Sequence, residues 1–165
     1  NLVNQIGLKY LPNSCATVGM LKVYPNSRNV IPGQVFLTID FRHQNIDLLD
    51  YMDKDIRKGI SSITKSIGLT FEIEEVLYLP PIIFDETCIN SVRKSAIENG
   101  YSWREINSGA GHDACNVAAI APTSMIFIPC IDGISHNEAE DAKPEWVTSG
   151  GQVLLTSVTD LAKII

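Results

Sequence analysis

A long helical repeat of apolar residues constrains the first half of the chain more than any other feature. Between positions 46 and 67 apolar side chains recur every three or four residues, and Gly68 follows where a helix commonly ends. The repeat consists of Leu49, Met52, Ile56, Ile60, Ile63 and Ile67. Residues 17–24, 34–42 and 71–78 are predicted strands, and a short helix is predicted to end near Pro12. The order helix, strand, strand, helix, strand predicts an α+β domain, with one antiparallel sheet backed by helices.

The second half of the chain alternates helices with short strands. A helix is predicted over 85–99, a second over 112–120 and a last one from Pro144 towards Ile165. Between them, residues 103–106 and 124–129 are predicted strands. This alternation predicts an α/β sheet with active loops at the strand ends, and the boundary between the halves falls near Leu79-Pro80-Pro81.

Composition excludes several classes of protein. The formal net charge of −6 argues against a nucleic-acid partner, because phosphate binding needs clustered Lys and Arg. The sequence contains no apolar run near the roughly 20 residues of a membrane helix. The four cysteines are widely spaced and form no Cys-x-x-Cys pair, which predicts reduced, mostly buried thiols in a cytoplasmic protein.

Two of the three histidines lie in glycine-bordered loops that also carry acids. His112 belongs to Ser-Gly-Ala-Gly-His-Asp-Ala (108–114), and His136 belongs to Gly-Ile-Ser-His-Asn-Glu-Ala-Glu (133–140). The loops flank an apolar strand, so we expect both imidazoles at one sheet edge, where a metal or an anionic substrate could bind. Zinc needs three or four protein ligands, and the sequence does not show a complete set.

Each histidine also has a simpler interpretation. His136 fits an exposed loop whose acidic neighbours precede a helix. His112 fits a glycine-rich turn in which it and Asp113 cap a helix, whose first N–H groups could also bind an anion. Ser108 is not in a Gly-x-Ser-x-Gly elbow, so a serine hydrolase is not predicted. His43 is predicted to be a solvent-facing strand residue without a role.

Five motifs, taken in order, resemble the C-terminal part of one enzyme family. They are Tyr-Pro-Asn (24–26), Asn-Val-Ile-Pro-Gly (29–33), Ile-Asp-Phe-Arg-His (39–43) and the two histidine motifs. The family is the amidase/hydantoinase/carbamoylase branch of the M20 metallopeptidase clan. It contains N-carbamoyl-L-amino-acid hydrolases, allantoate amidohydrolases and ureidopropionases.

The resemblance implies an organisation into two domains. Residues 1–80 resemble a lid and dimerisation domain, with an incomplete ferredoxin-like antiparallel sheet that lacks its first strand. Residues 81–165 resemble the C-terminal segment of an α/β zinc-peptidase-like catalytic domain. The family binds two divalent metal ions, with zinc expected first and manganese, cobalt or nickel as alternatives. The upstream portion of the family, which carries its His-x-Asp pair, bridging Asp and catalytic Glu-Glu pair, has no counterpart in this sequence, so we expect the chain as given to be catalytically incomplete.

The resemblance also implies roles for single residues. His136 matches a metal ligand, and His112 matches a catalytic histidine that contacts the substrate or the developing oxyanion. Gly109 and Gly111 would let the backbone approach the substrate. Arg42 and Asn29 match lid residues that hold the substrate carboxylate. From the residues alone, a surface ion pair with Asp40 explains Arg42, and turn propensity explains Asn29.

Three functions remain open. The resemblance implies hydrolysis of the linear C–N bond of N-carbamoyl amino acids or ureido acids such as allantoate and ureidopropionate. It also implies a homodimer formed through the lid, with a small carboxylate as substrate. The cysteines predict a cytoplasmic protein, and the composition predicts neither nucleic acid nor membrane as a partner. One alternative is a non-catalytic dimerisation or carboxylate-binding module. The other is an M20 aminoacylase or dipeptidase, against which residues 108–114 argue because peptidase relatives usually differ there.

Overall fold

The computed structural model describes residues 1–162 of the 165-residue chain. The chain divides into two compact units, Asn1–Pro81 and Ile82–Ile165. The expected end of the last helix at Ile165 lies outside the described residues. Within residues 1–162, no helix is both long enough and apolar enough to cross a membrane.

The first unit consists of two helices and one β-hairpin. Its elements are α1 (Leu2–Lys9), β1 (Cys15–Tyr24), β2 (Gln34–Arg42) and α2 (Ile46–Ser66). The two strands are antiparallel, with Tyr24 opposite Gln34 at the turn and Cys15 opposite Arg42 at the open end. This hairpin confirms the predicted antiparallel pairing, and it is the one sheet that residues 1–162 form.

The ends of α2 follow from its capping residues. The Asn45 side chain accepts a hydrogen bond from the Leu48 N–H at 3.0 Å, which satisfies a donor that has no partner inside the helix. At the other end Gly68 has φ +72°, and the Leu69 N–H returns to the Thr64 carbonyl at 2.9 Å. A left-handed glycine followed by this backward hydrogen bond is a common helix stop, so the predicted helix is confirmed.

A small apolar cluster holds the helices of the first unit against the hairpin. It consists of the buried residues Ile6, Met52 and Ile56. Ile39 and Phe41 of β2 pack against this cluster. Because successive side chains of a strand point to opposite faces, Asp40 and Arg42 lie on the face of the hairpin away from the helices. The core therefore determines which way Arg42 points.

The second unit is mainly helical. Its elements are α3 (Glu86–Glu98), α4 (Asp113–Ala118), a short 3-10 turn (Ile131–Gly133) and α5 (Pro144–Leu161). The Asp85 carboxylate caps α3 by accepting the Cys88 N–H at 3.0 Å, and this hydrogen bond lowers the pKa of that carboxyl. Gly100, with φ +72°, ends the helix.

Helices α3 and α5 meet along buried serines. Ser91, Ser95 and Ser157 are all buried. The hydroxyls of Ser157 and Ser95 lie 3.0 Å apart, and the Ser91 hydroxyl donates to the Ser157 carbonyl at 3.3 Å. Small side chains let the two helices approach closely, and the hydrogen bonds satisfy hydroxyls that have left water.

One glycine of α5 accommodates the segment before the His136 loop. A Cβ placed on Gly150 would lie 2.6 Å from Cγ2 of Ile128, closer than two carbon atoms can approach. The side chain of Ile128 therefore lies against α5 because position 150 has no side chain. The neighbouring Gly151 has open space where its Cβ would be.

Three predicted strands are not formed. Residues 71–78, 103–106 and 124–129 belong to no sheet, and residues 82–162 contain no strand, so the predicted α/β sheet of the second half is not formed there. The physical reason is that a strand needs a hydrogen-bonded neighbour, and the described residues supply none for these segments. Their apolar side chains include exposed ones, such as Val76 at 86%.

Two smaller predictions are wrong. All four cysteines are free, but Cys15 is exposed and Cys88, Cys115 and Cys130 are only partly buried, so the thiols are not mostly buried. His43 is buried rather than facing solvent. It follows the last residue of β2, where its Nδ1 accepts the Asn45 N–H at 2.9 Å in the turn that leads into α2.

Candidate functional site

The segment from Ser108 to Ala114 forms an exposed turn that leads into α4. A Cβ placed on Gly109 or on Gly111 would meet nothing within 4 Å, so space is open beside the backbone at both positions. This space is compatible with the predicted approach of a substrate, which stays a prediction. Helix α4 has only six residues, so its own dipole adds little attraction for an anion.

His112 is partly buried, and two contacts hold its ring. Nε2 lies 2.6 Å from the Ser108 hydroxyl oxygen, and the Phe127 ring lies edge-on with its centroid 5.5 Å away. His112 is the residue that precedes α4, but its side chain makes no cap hydrogen bond. The ring is thus oriented by Ser108 and Phe127, and the capping interpretation of this side chain is not supported.

The loop that carries His136 is closed at its base and shaped by Glu140. The Ile131 N–H donates to the Asp141 carbonyl at 2.8 Å. The His136 backbone has φ +53°, in the left-handed region, and its N–H donates to the Glu140 carboxylate at 2.8 Å. The imidazole of His136 is exposed. Glu140 therefore acts on the backbone of His136 and holds it in a conformation that a histidine seldom adopts.

The residues do not fit a complete metal site by themselves. Among residues 1–162, no group of three or more His, Cys, Asp or Glu side chains comes together in a way that could hold a metal ion. A structural or catalytic zinc ion takes at least three protein ligands. This chain therefore provides at most part of the two-metal site that the family resemblance implies.

Arg42 lies at the end of β2 and forms an ion pair with Asp40. Its Nε and one terminal nitrogen donate to the two carboxylate oxygens at 2.8 Å and 2.7 Å. The hydrogen bonds from the Arg42 guanidinium lower the pKa of Asp40, and the same pair raises the pKa of Arg42. Both side chains are about half exposed, at 52% and 53%, so solvent screens the pair. The ion pair that the residues alone suggested is thus present.

Asn29 lies at the other end of the hairpin. It is in the loop that joins β1 to β2, and its side-chain oxygen accepts the Ser27 hydroxyl at 2.8 Å. Eight residue steps along β2 separate Gln34 at the turn from Arg42, which is roughly 26 Å at the usual rise per residue. Asn29 therefore precedes β2 at its turn end, and Arg42 is the last residue of β2.

Sequence reasoning missed the part that Ser108 plays. The informative signal is the four-residue spacing of Ser108 and His112 around Gly109 and Gly111, not the missing Gly-x-Ser-x-Gly elbow. A chain that reverses direction at the glycines can bring residues so spaced side by side. The interaction of the two side chains is direct.

Comparison with known proteins identifies the family. The model of peptidase family M20/M25/M40 matches residues 4–160. The chain belongs to this family. Enzymes of the M20 family are generally metal-dependent.

Individual relatives confirm the predicted branch. An N-carbamoyl-L-amino-acid amidohydrolase of Rhizobium meliloti is 40% identical over 99% of this chain, and an allantoate amidohydrolase of Bacillus subtilis is 34% identical over 88%. A crystal structure of an amidase of the hydantoinase/carbamoylase family from Burkholderia multivorans is 54% identical, covers 96% of this chain and superposes with a TM-score of 0.92. The chain spans 39%, 35% and 39% of the lengths of these three proteins. The structure of this chain therefore matches a fragment of an M20-like fold.

Proposed function

We propose that this protein is a metal-dependent amidohydrolase acting on the linear C–N bond of N-carbamoyl amino acids or related ureido acids such as allantoate and ureidopropionate. The observation that carries the proposal is His112, held at 2.6 Å from Ser108 beside the space that Gly109 and Gly111 leave open because they have no side chains. An N–H donor aimed at a carbonyl oxygen stabilises the negative charge that this oxygen gains during hydrolysis. The relatives are named as amidohydrolases, which supports assignment to the same class of enzyme.

Arg42 would recognise the carboxylate that distinguishes these substrates from plain amides. A guanidinium binds a carboxylate through two parallel hydrogen bonds, as it already does with Asp40. Because that pair is about half exposed, breaking it costs little, on the order of 0–1 kcal/mol. A substrate carboxylate would therefore compete with Asp40 for Arg42, and Asp40→Asn is expected to lower KM.

His136 would supply one metal ligand, and the remaining ligands would come from outside residues 1–162. Zinc is proposed first, with manganese, cobalt or nickel as alternatives, because these ions accept overlapping ligands. Elemental analysis after dialysis against trace zinc tests this assignment. We expect close to no metal per chain. One or two tightly held ions would mean that the ligand set has been misidentified.

We further propose that the first unit is a lid that forms a homodimer, and that the second unit is part of the catalytic domain. Asn29 and Arg42, both delivered from the lid of one copy, would hold the carboxylate of a substrate bound to the second unit of the other copy. In a mixed dimer of His112→Asn and Arg42→Lys chains, one intact site should then return about half of the activity. Two impaired sites would show that each lid serves the second unit of its own copy.

The activity is best tested in a chimera. The matching segment of the Rhizobium meliloti relative is replaced by this chain, and ammonia release from N-carbamoyl amino acids is measured. His112→Asn should lower kcat about 10²–10³-fold, the usual effect of removing one donor to an oxyanion. Arg42→Lys should raise KM about 10–100-fold, because a charge-assisted hydrogen bond contributes about 1.5–3 kcal/mol.

Arg57→Lys is the matched control, since Arg57 also donates to an acidic partner, Asp53, at 2.8 Å but lies on α2. Its kinetic constants should stay unchanged. A folded chimera that binds N-carbamoyl amino acids without hydrolysing them would favour the non-catalytic module. Hydrolysis of dipeptides or N-acyl amino acids instead would favour the dipeptidase or aminoacylase.

A further inference from the structure

The hydroxyl of Ser108 has two hydrogen-bond partners. Its oxygen accepts the backbone N–H of Ala110 at 3.2 Å, and it lies 2.6 Å from Nε2 of His112. Within residues 1–162, Ser108 is the one side chain hydrogen-bonded to the His112 ring. The hydroxyl therefore links the backbone of the glycine turn to the imidazole.

The geometry favours one direction for the hydrogen bond between the two side chains. A separation of 2.6 Å is usual when a hydroxyl donates, whereas an N–H donor normally stays at about 2.7–3.2 Å from its acceptor. A hydroxyl that already accepts a backbone N–H is also polarised, which makes it a better donor. Both arguments favour the Ser108 hydroxyl as the donor and Nε2 as the acceptor.

We propose that Ser108 is a positioning residue that donates to Nε2 of His112 and so fixes the imidazole in the tautomer with its proton on Nδ1. A neutral imidazole has one N–H, and if Nε2 accepts, Nδ1 is the donor. Phe127, edge-on to the ring, limits its rotation. The ring then presents a single oriented N–H. The use of that donor on a substrate oxygen rests on the proposed function, but the tautomer does not.

Nitrogen NMR of the imidazole rings tests the proposal on the 165-residue chain itself. The chain has three histidines, so a ¹⁵N-labelled sample gives three ring patterns, and His112→Gln identifies the one that belongs to His112. At a pH where imidazole is neutral, we expect Nδ1 of His112 to resonate as a protonated nitrogen and Nε2 as an unprotonated one.

Two variants of Ser108 separate positioning from general structural damage. Ser108→Ala should shift the His112 tautomer ratio towards the Nε2-protonated form by about fivefold or more, the factor that one hydrogen bond of typical net strength supplies. Ser108→Thr keeps the hydroxyl and should restore the original ratio. The ring pattern of His136 serves as the internal control and should not move in either variant.

Two results would overturn the proposal. One is a protonated Nε2 on His112 in the unaltered chain. The other is an unchanged tautomer ratio in Ser108→Ala, with a backbone amide spectrum that shows the turn intact. Neither result depends on substrate or metal. A correct tautomer together with an inactive chimera would therefore refute the proposed function and leave the role of Ser108 standing.

Discussion

Met52 is the residue whose truncation tests the first unit most sharply. It is fully buried, at 0% exposure, and it forms the apolar cluster with Ile6 and Ile56. Met52→Ala should cost about 3 kcal/mol, within the range of about 2–5 kcal/mol for removing a buried Met side chain. A unit of this size, Asn1–Pro81, has about 4–12 kcal/mol of total stability. The substitution therefore removes a quarter or more of it, which lowers Tm by about 12–24 °C.

The two units can be followed separately in one thermal experiment. Both tryptophans, Trp103 and Trp146, lie in the second unit, so their fluorescence reports on that unit alone. Far-UV circular dichroism reports on helices of both. In Met52→Ala we expect the circular dichroism transition to begin at lower temperature while the fluorescence midpoint stays in place. Met52→Leu nearly preserves the volume and should cost less than about 1.5 kcal/mol.

Two outcomes would refute this reasoning. A Met52→Ala chain within about 0.5 kcal/mol of the original would mean that the cluster is not what stabilises the first unit, because surface substitutions typically fall in that range. A fluorescence midpoint that falls together with the circular dichroism transition would mean that the two units unfold as one.

Three further predictions concern the hairpin, α2 and the His136 loop. Because Arg42 lowers the pKa of Asp40, the ion pair contributes fully to folding stability above the unfolded-state pKa of about 3.9, and this contribution is lost as pH falls through the lower folded value. An NMR titration of the Asp40 carboxyl should show the lowered pKa. Arg42→Gln should return it to its ordinary range. Asn45→Ala should cost about 1 kcal/mol in urea unfolding whereas Asn45→Asp keeps the cap, and equal losses would contradict the capping role. Glu140→Ala should speed amide hydrogen exchange of His136 on the order of tenfold while Glu140→Gln retains most of the protection, and unchanged exchange in both would show that Glu140 does not hold this loop.

Local signals in the sequence were sufficient for the elements that local interactions stabilise. Helix α2 was predictable because Asn45 caps it, Gly68 ends it and its apolar residues share one face. The hairpin was predictable because residues 34–42 alternate and the turn before them is rich in Pro, Asn and Gly. In both cases the partners of each backbone group lie within one element or the next one along the chain.

Non-local partners explain what the sequence did not predict. Residues 71–78 and 124–129 have a strand pattern, but a strand forms only beside another, and no local signal tells whether one is available. In the sequence, His43 continues the alternating pattern of β2. In the structure the chain turns into α2 at this point, and the His43 side chain is buried. For the candidate site, the family resemblance assigned roles to His112 and His136. The hydrogen bond between Ser108 and His112, and the one from the His136 backbone N–H to the Glu140 carboxylate, are seen only in the structure.

Gly150 brings α5 against the segment that runs from the neighbour of His112 to the start of the His136 loop. Cγ2 of Ile128 branches directly from Cβ, so it cannot swing away from a new methyl group unless the whole side chain changes rotamer or the backbone retreats. That backbone runs from Phe127, which touches His112, to Ile131, where the His136 loop begins. A methyl group added at position 150 is therefore expected to shift this segment and disturb the surroundings of both His112 and His136, although α5 carries neither residue. Position 150 should accordingly tolerate glycine alone, whereas alanine at position 151, which has open space, should be accepted and should strengthen the helix.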